Sequence, residues 1–231
     1  MFVKICGVTN EEDALMAVAF GADAIGFVFA PSKRQVKMPV AREIARRLPQ
    51  EILTVGVFRD QASKTVIDTI QSAGLKGAQL HGHETPEDAA AVRPYAQVLI
   101  VAFPAGDPGL NHVDEYGADA VLLDSHAPGS GEVFDWSLTE GAPMNRRLLL
   151  AGGLTAENVA IGISEVRPWG VDVSTGVEVD GDPLRKDPRK VQAFIRAAKA
   201  AGKQVAGSQT RAGTDTTPDP AGPFDWSDAG I

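Results

Sequence analysis

A single cysteine, Cys6, occurs in the 231 residues, which excludes an internal disulfide. No apolar run approaches the roughly 20 residues of a membrane-crossing helix. The N-terminal segment also lacks the layout of a secretory signal, so a cytoplasmic protein with no membrane partner is expected. Basic charge is scarce as well: 22 Lys and Arg against 30 Asp and Glu leave a formal net charge of −8. Neither nucleic acid nor an anionic lipid surface attracts such a chain, although a small anion could bind at a local site. Histidine is limited to four residues, and the strand ends offer no His/Asp cluster of metal-ligating type, so no metal is expected.

What the chain does contain is a regular alternation. Hydrophobic residues make up 44% of it, enough for a well-formed core. Strand-like apolar runs at 2–6, 24–29, 52–57, 77–80, 97–102, 119–123, 147–151 and 170–174 alternate with segments of helical period. The helical segments are 10–20 with Asn10 as N-cap, 39–48, 63–73, 86–93, 155–163 capped by Thr155, and 188–201 opened by Asp187 and Pro188. The fifth and sixth helices are poorly marked. Eight such units within about 200 residues predict an α/β fold, a single (β/α)8 TIM barrel, rather than an open doubly wound sheet.

From Lys203 onward Gly, Ser, Thr, Pro and Asp dominate without an apolar period. The expected organisation is a barrel over 1–202 and a disordered tail over 203–231, dispensable enough that truncation after Ala201 leaves stability intact. Within that tail, Phe224-Asp225-Trp226-Ser227 repeats Phe134-Asp135-Trp136-Ser137, a match short enough to be chance.

Barrel chemistry sits at the C-terminal ends of the strands. Cys6 ends the first strand, before Gly7, where a thiol can act as base or nucleophile; a buried cysteine can equally be a small core hydrophobe. Asp124 ends the run Val121-Leu122-Leu123, and a carboxyl group delivered by so apolar a strand suits proton donation near neutrality, the alternative being a turn cap. The loop Pro128-Gly129-Ser130-Gly131 beside it could move as a lid or be an ordinary turn. Gly152 and Gly153 after the seventh strand, and Ser174, Thr175 and Gly176 after the eighth, occupy the two positions where barrels often bind phosphate. An anionic sugar phosphate is the expected small-molecule partner.

These residues resemble, in order and spacing to about residue 200, the phosphoribosylanthranilate isomerase family. The matching pieces are Lys4-Ile5-Cys6-Gly7, Gly21 through Phe29, Gly56-Val57-Phe58, Gln79-Leu80-His81-Gly82, Leu122-Leu123-Asp124-Ser125, Phe134-Asp135-Trp136, Leu150 through Leu154, and Gly170 through Glu178. The resemblance implies an Amadori rearrangement in tryptophan biosynthesis, without cofactor or metal; a monomer or homodimer is expected. By the same similarity Asp124 would be the general acid, Cys6 the general base, and Arg34 the partner of the anthranilate carboxylate. Lys33 stands where the family usually has proline, which leaves the backbone before Arg34 less constrained.

Strand alternation points Asp172 and Ser174 into the barrel, and Lys4 with Cys6. Asp172 is therefore expected to contact the ribose hydroxyls or to orient Cys6, and Lys4 to stabilise a thiolate or to pair with Asp172. His81 reads as a pocket wall. Two departures from the family pattern are Glu132, where a basic residue is frequent, and an inserted-looking Val179–Pro183 expected to stay local.

Overall fold

The structure is a computed structural model that describes residues 1–124 and 147–212. Eight parallel strands close into a barrel in sequence order: β1 (Phe2–Ile5), β2 (Ala24–Val28), β3 (Leu53–Phe58), β4 (Gly77–Leu80), β5 (Val98–Pro104), β6 (Ala120–Asp124), β7 (Arg147–Leu150) and β8 (Gly170–Val173). The closing pair sets Lys4 opposite Asp172. Around the barrel lie α1 (Glu11–Ala19), α2 (Met38–Ala45), α3 (Ser63–Ala73), α4 (Pro86–Val92), α5 (Val159–Val166) and α6 (Pro188–Ala212). The expected (β/α)8 barrel is the fold observed.

Residue parity along each strand divides the core in two. One set, including Phe2, Ala24, Val55, Ile100, Leu122 and Leu149, forms the barrel interior. The alternate set, including Val3, Ile5, Phe27, Val101 and Leu123, packs beneath the helices. Trp169 stacks on Phe2 at 4.4 Å and carries the Arg147 guanidinium 5.7 Å above its ring. The same parity that sends Phe2 inward sends Lys4 and Cys6 inward, toward the strand C-termini.

Local signals account for the helix starts. Asn10 caps α1 by accepting from Asp13 N at 2.9 Å, and Asp187 accepts from Arg189 N at 2.8 Å ahead of Pro188. Thr155 does not open α5; Asn158 is its N-cap and instead accepts from Thr155 N at 2.8 Å, so the helix begins at Val159. After β5 the chain forms a 3-10 helix, Pro108–Tyr116, with Asp107 accepting from Gly109 N at 2.6 Å, which explains the weak α signal there. Outside the described residues lie Ser125, the 128–131 loop, Glu132, Phe134–Ser137 and its repeat at 224–227.

The barrel does not end at residue 202. Helix α6 runs past Lys203 to Ala212, with Val205 packed on the core and Gly202 so close to Met1 that a Cβ there would lie 2.5 Å from the Met1 Cβ. Truncation after Ala201 is therefore expected to destabilise the protein by about 1 kcal/mol, the value of half-burying a valine, and to lower Tm by about 2–4 °C. An unchanged thermal melt for the truncated chain would contradict this packing.

The Val179–Pro183 segment is also more than a local loop. It belongs to a hairpin of β9 (Glu178–Val179) and β10 (Asp182–Lys186) that folds back over the start of α1. Thr9 Oγ1 donates to Leu184 O at 2.6 Å, and Lys186 N donates to Asp13 Oδ2 at 2.8 Å.

Candidate active site

The C-terminal rim of the barrel brings together Cys6, Arg34, Asp124, Asp172 and the two glycine-bearing loops. Cys6 is held by its backbone N–H on Val173 O at 2.8 Å and is almost fully buried. Gly7, with φ +71°, makes the turn that follows; a Cβ there would lie 2.6 Å from Arg34 Cδ and 2.8 Å from Ser174 Oγ. The absence of that Cβ lets Arg34 and Ser174 approach the Cys6 loop.

Lys4 is fully buried below Cys6, with its ammonium 3.0 Å from Asp172 Oδ1. Burial pulls the Lys4 ammonium down, but the charges and hydrogen bonds of Asp172 and Cys6 outweigh it and hold it above its ordinary value. Burial pushes the Cys6 thiol up, Lys4 draws it back, and Asp172 pushes it up again; the balance lies above the ordinary 9.0. Of the two expected roles for Lys4, pairing with Asp172 is the one the geometry displays; the balance at Cys6 favours the neutral thiol in the absence of substrate, although Lys4 opposes the rise.

This buried pair makes a stability prediction. Lys4→Met leaves the Asp172 carboxylate without its ammonium partner and is expected to cost about 3–5 kcal/mol in urea unfolding. Adding Asp172→Leu should recover most of that loss, because the charge needing a partner is gone. A double variant as unstable as the single one would contradict the pairing.

Arg34 has lost no order through its missing proline. Its N–H donates to Ser32 Oγ at 3.0 Å, and Gln35 next to it donates to Phe29 O at 2.9 Å, so side chains brace this loop. The guanidinium donates through Nε and Nη2 to the two carboxylate oxygens of Glu178 and through Nη2 to Thr175 Oγ1 at 2.8 Å. Glu178 in turn accepts from Lys186 Nζ at 3.2 Å, and Lys186 also donates to Ser174 O at 3.1 Å. Burial would raise the Glu178 carboxyl group, but Arg34 and Lys186 hold it below the ordinary carboxylate range.

Glu178 and Lys186 escaped the sequence reading. Glu178 closes the matching Gly170–Glu178 stretch, whereas Lys186 follows a segment read as an insertion, and only the hairpin shows that both reach the rim. His81 was likewise read as a wall; its Nε2 lies 3.2 Å from Asp124 Oδ2.

Asp124 ends β6 with a buried side chain and lines, with Asp172, a cavity of about 50 Å³. The rest of that lining is Ala151–Leu154 and Val173–Gly176, so Gly152, Gly153, Ser174, Thr175 and Gly176 share one space with both carboxyl groups. The two loops touch at Gly176, where a Cβ would fall 1.9 Å from Leu154 O. Only glycine permits that approach. A larger groove of about 510 Å³ lies between α1 and α6, on the outside of the barrel, and its lining contains neither carboxyl, thiol nor imidazole groups. Among the described residues no three His, Cys, Asp or Glu side chains gather as a metal site, and no helix is long and apolar enough to cross a membrane.

Fold and rim together define a (β/α)8-barrel enzyme, with titratable groups gathered at the strand C-termini as in that class. The sequence profile of N-(5'phosphoribosyl)anthranilate (PRA) isomerase matches residues 3–197. An N-(5'-phosphoribosyl)anthranilate isomerase of Desulforudis audaxviator is 46% identical over 206 residues, 86% of this chain and 98% of the relative. The crystal structure of phosphoribosyl anthranilate isomerase from Thermus thermophilus superposes with a TM-score of 0.80 at 40% identity, covering 87% of this chain and 99% of the other. Another solved isomerase, in complex with reduced 1-(o-carboxyphenylamino)-1-deoxyribulose 5-phosphate, gives 0.76 at 39% identity with the same coverage. The chain belongs to the N-(5'-phosphoribosyl)anthranilate isomerase family.

Proposed function

We propose that this protein catalyses the Amadori rearrangement of N-(5-phosphoribosyl)anthranilate to 1-(2-carboxyphenylamino)-1-deoxyribulose 5-phosphate, in the cytoplasm, as a step of tryptophan biosynthesis. The observation that carries this reading is the presence of a buried thiol and a buried carboxyl group at the strand C-termini, the carboxyl lining a cavity with the loops after β7 and β8.

In this reading Asp124 delivers its proton to the ring oxygen. The C1'–O bond breaks as the anilino nitrogen lone pair forms a cationic Schiff base. Cys6 gives up its own proton to solvent beforehand, and that new positive charge favours the resulting thiolate, offsetting the burial that favours the neutral thiol in the free protein. The thiolate then takes the C2' proton, giving a neutral enolamine that tautomerises to the ketone. No electrons leave the substrate, so proton transfers alone suffice for the chemistry.

The backbone N–H groups of Gly152, Gly153 and Gly176, with the Ser174 and Thr175 hydroxyls, would hold the phosphate. Asp172 would take the ribose hydroxyls while bonded to Lys4. Arg34 would bind the anthranilate carboxylate, its guanidinium kept in place from behind by Glu178. Arg34→Lys loses the planar donor pair and is expected to raise KM by about 10- to 100-fold with kcat little changed, the value of one charge-assisted hydrogen bond. A KM unchanged from the wild type would remove Arg34 from the binding site.

The test of the reaction is turnover of freshly generated phosphoribosylanthranilate, followed through its anthranilate-type fluorescence in buffer containing a chelator. Stoichiometric formation of the ketose phosphate is expected. A folded protein that leaves the substrate unchanged would overturn the reading.

A further inference from the structure

Gln79 is fully buried in β4, between Ala78 and Leu80, where an amide is costly unless it is hydrogen-bonded. Its Nε2 lies 2.7 Å from His81 Nδ1. The opposite edge of the same imidazole, Nε2, lies 3.2 Å from Asp124 Oδ2, at ion-pair distance but short of hydrogen-bond alignment. His81 itself is anchored by its backbone N–H on Phe58 O at 2.9 Å. The three side chains thus run in a line from the barrel interior to the carboxyl group assigned above as the acid.

We propose that Gln79 and His81 are positioning residues for Asp124: the amide fixes the imidazole as its Nε2–H tautomer, and that N–H holds one oxygen of the carboxyl group. This inference rests on the acid role of Asp124. An amide N–H facing Nδ1 requires Nδ1 to be an acceptor, which leaves the ring proton on Nε2. The N–H then occupies Oδ2 and keeps the acidic proton on the other carboxyl oxygen, where it can reach the substrate. It also stabilises the carboxylate left after that proton is given away.

The opposite tautomer would do harm. With its proton on Nδ1, the imidazole would present a lone pair to Asp124, and the acidic proton would be drawn toward His81 instead of the ring oxygen. The imperfect alignment in the free protein is compatible with this role, since catalytic hydrogen bonds often tighten only once substrate is bound. Tautomer selection by a neighbouring group, with the chemistry one bond further on, is the logic of hydrolase triads, where a wrong tautomer costs about 10⁴-fold.

The experiment combines long-range ¹H–¹⁵N NMR of the histidine rings with steady-state kinetics. His81 signals are assigned by their loss in His81→Gln. In the wild type, Nε2 should be protonated and Nδ1 should resonate as an acceptor nitrogen. Gln79→Glu replaces the donor by a carboxylate, and should move the proton to Nδ1 or charge the ring, while kcat falls by about 10²-fold or more and KM changes little. Gln79→Met, uncharged and of similar volume, is the second variant should the glutamate disturb folding; it is expected to give mixed tautomers and a smaller fall in kcat. A wild-type ring protonated on Nδ1, or a folded Gln79 variant with altered tautomer and normal kcat, would overturn the proposal. The NMR result needs no turnover, so an inactive wild type would refute the reaction without touching the tautomer assignment.

Discussion

Cys6→Ala is expected to fold as the wild type does and to turn over phosphoribosylanthranilate about 10²- to 10⁴-fold more slowly, the usual worth of a positioned base. The side chain is small and sits at the rim, so its loss opens little space, while the C2' proton loses its acceptor. The thiol's own titration supplies a second reading. Because burial and Asp172 lift Cys6 above 9.0 in the free protein, thiolate absorbance and alkylation by iodoacetamide should both rise only on the alkaline side of that value. The sign follows from which form is favoured: the fold stabilises the neutral thiol, so a higher pH is needed to ionise it. Rapid alkylation at pH 7 would contradict the raised titration, and near-normal turnover by the alanine variant would contradict the role.

Asp124→Asn should be about as damaging, with a loss of roughly 10²- to 10⁴-fold, for a different reason. Asparagine keeps the shape of the side chain but cannot give a proton to the ring oxygen, so the furanose stays closed. Stability should change little, since an amide can still meet the neighbouring His81 Nε2. Near-normal kcat in this variant would move the acid elsewhere on the rim.

Much of this site was legible before any coordinates. Period-two alternation in Phe2-Val3-Lys4-Ile5-Cys6 puts Lys4 and Cys6 on one face, and the same rule applied to Gly170–Ser174 turns Asp172 inward, with pairing to Lys4 as one of two readings; the register of β1 on β8 sets those two residues opposite each other. Apolar runs ending in Cys6 and Asp124 drew attention to both tips, but a core cysteine and a turn-capping acid fit the same pattern, and only the family resemblance gives the two residues their roles. What could not be read were the contacts made by long side chains across the rim. Arg34 and Glu178 are far apart in sequence, and their pairing depends on how the β9–β10 hairpin folds over α1. The proton balance at Cys6 was also out of reach, since it is decided by the degree of burial rather than by the sign of any one neighbour. The extension of α6 past Lys203 was missed because Gly202, Gly207 and the polar residues around them read as the start of a tail, whereas contacts with Met1 and the core outweigh weak helix propensity there.

The division of labour between the thiol and the carboxyl group is tested most directly by single-turnover kinetics with substrate deuterated at C2', in Cys6→Ser and Asp124→Asn. Serine is a poorer base, so removal of the C2' proton should limit its rate and a large primary isotope effect should appear. In Asp124→Asn ring opening should limit the rate, and the isotope effect should vanish. An isotope effect in the asparagine variant together with none in the serine variant would contradict the assignment of Cys6 as base and Asp124 as acid.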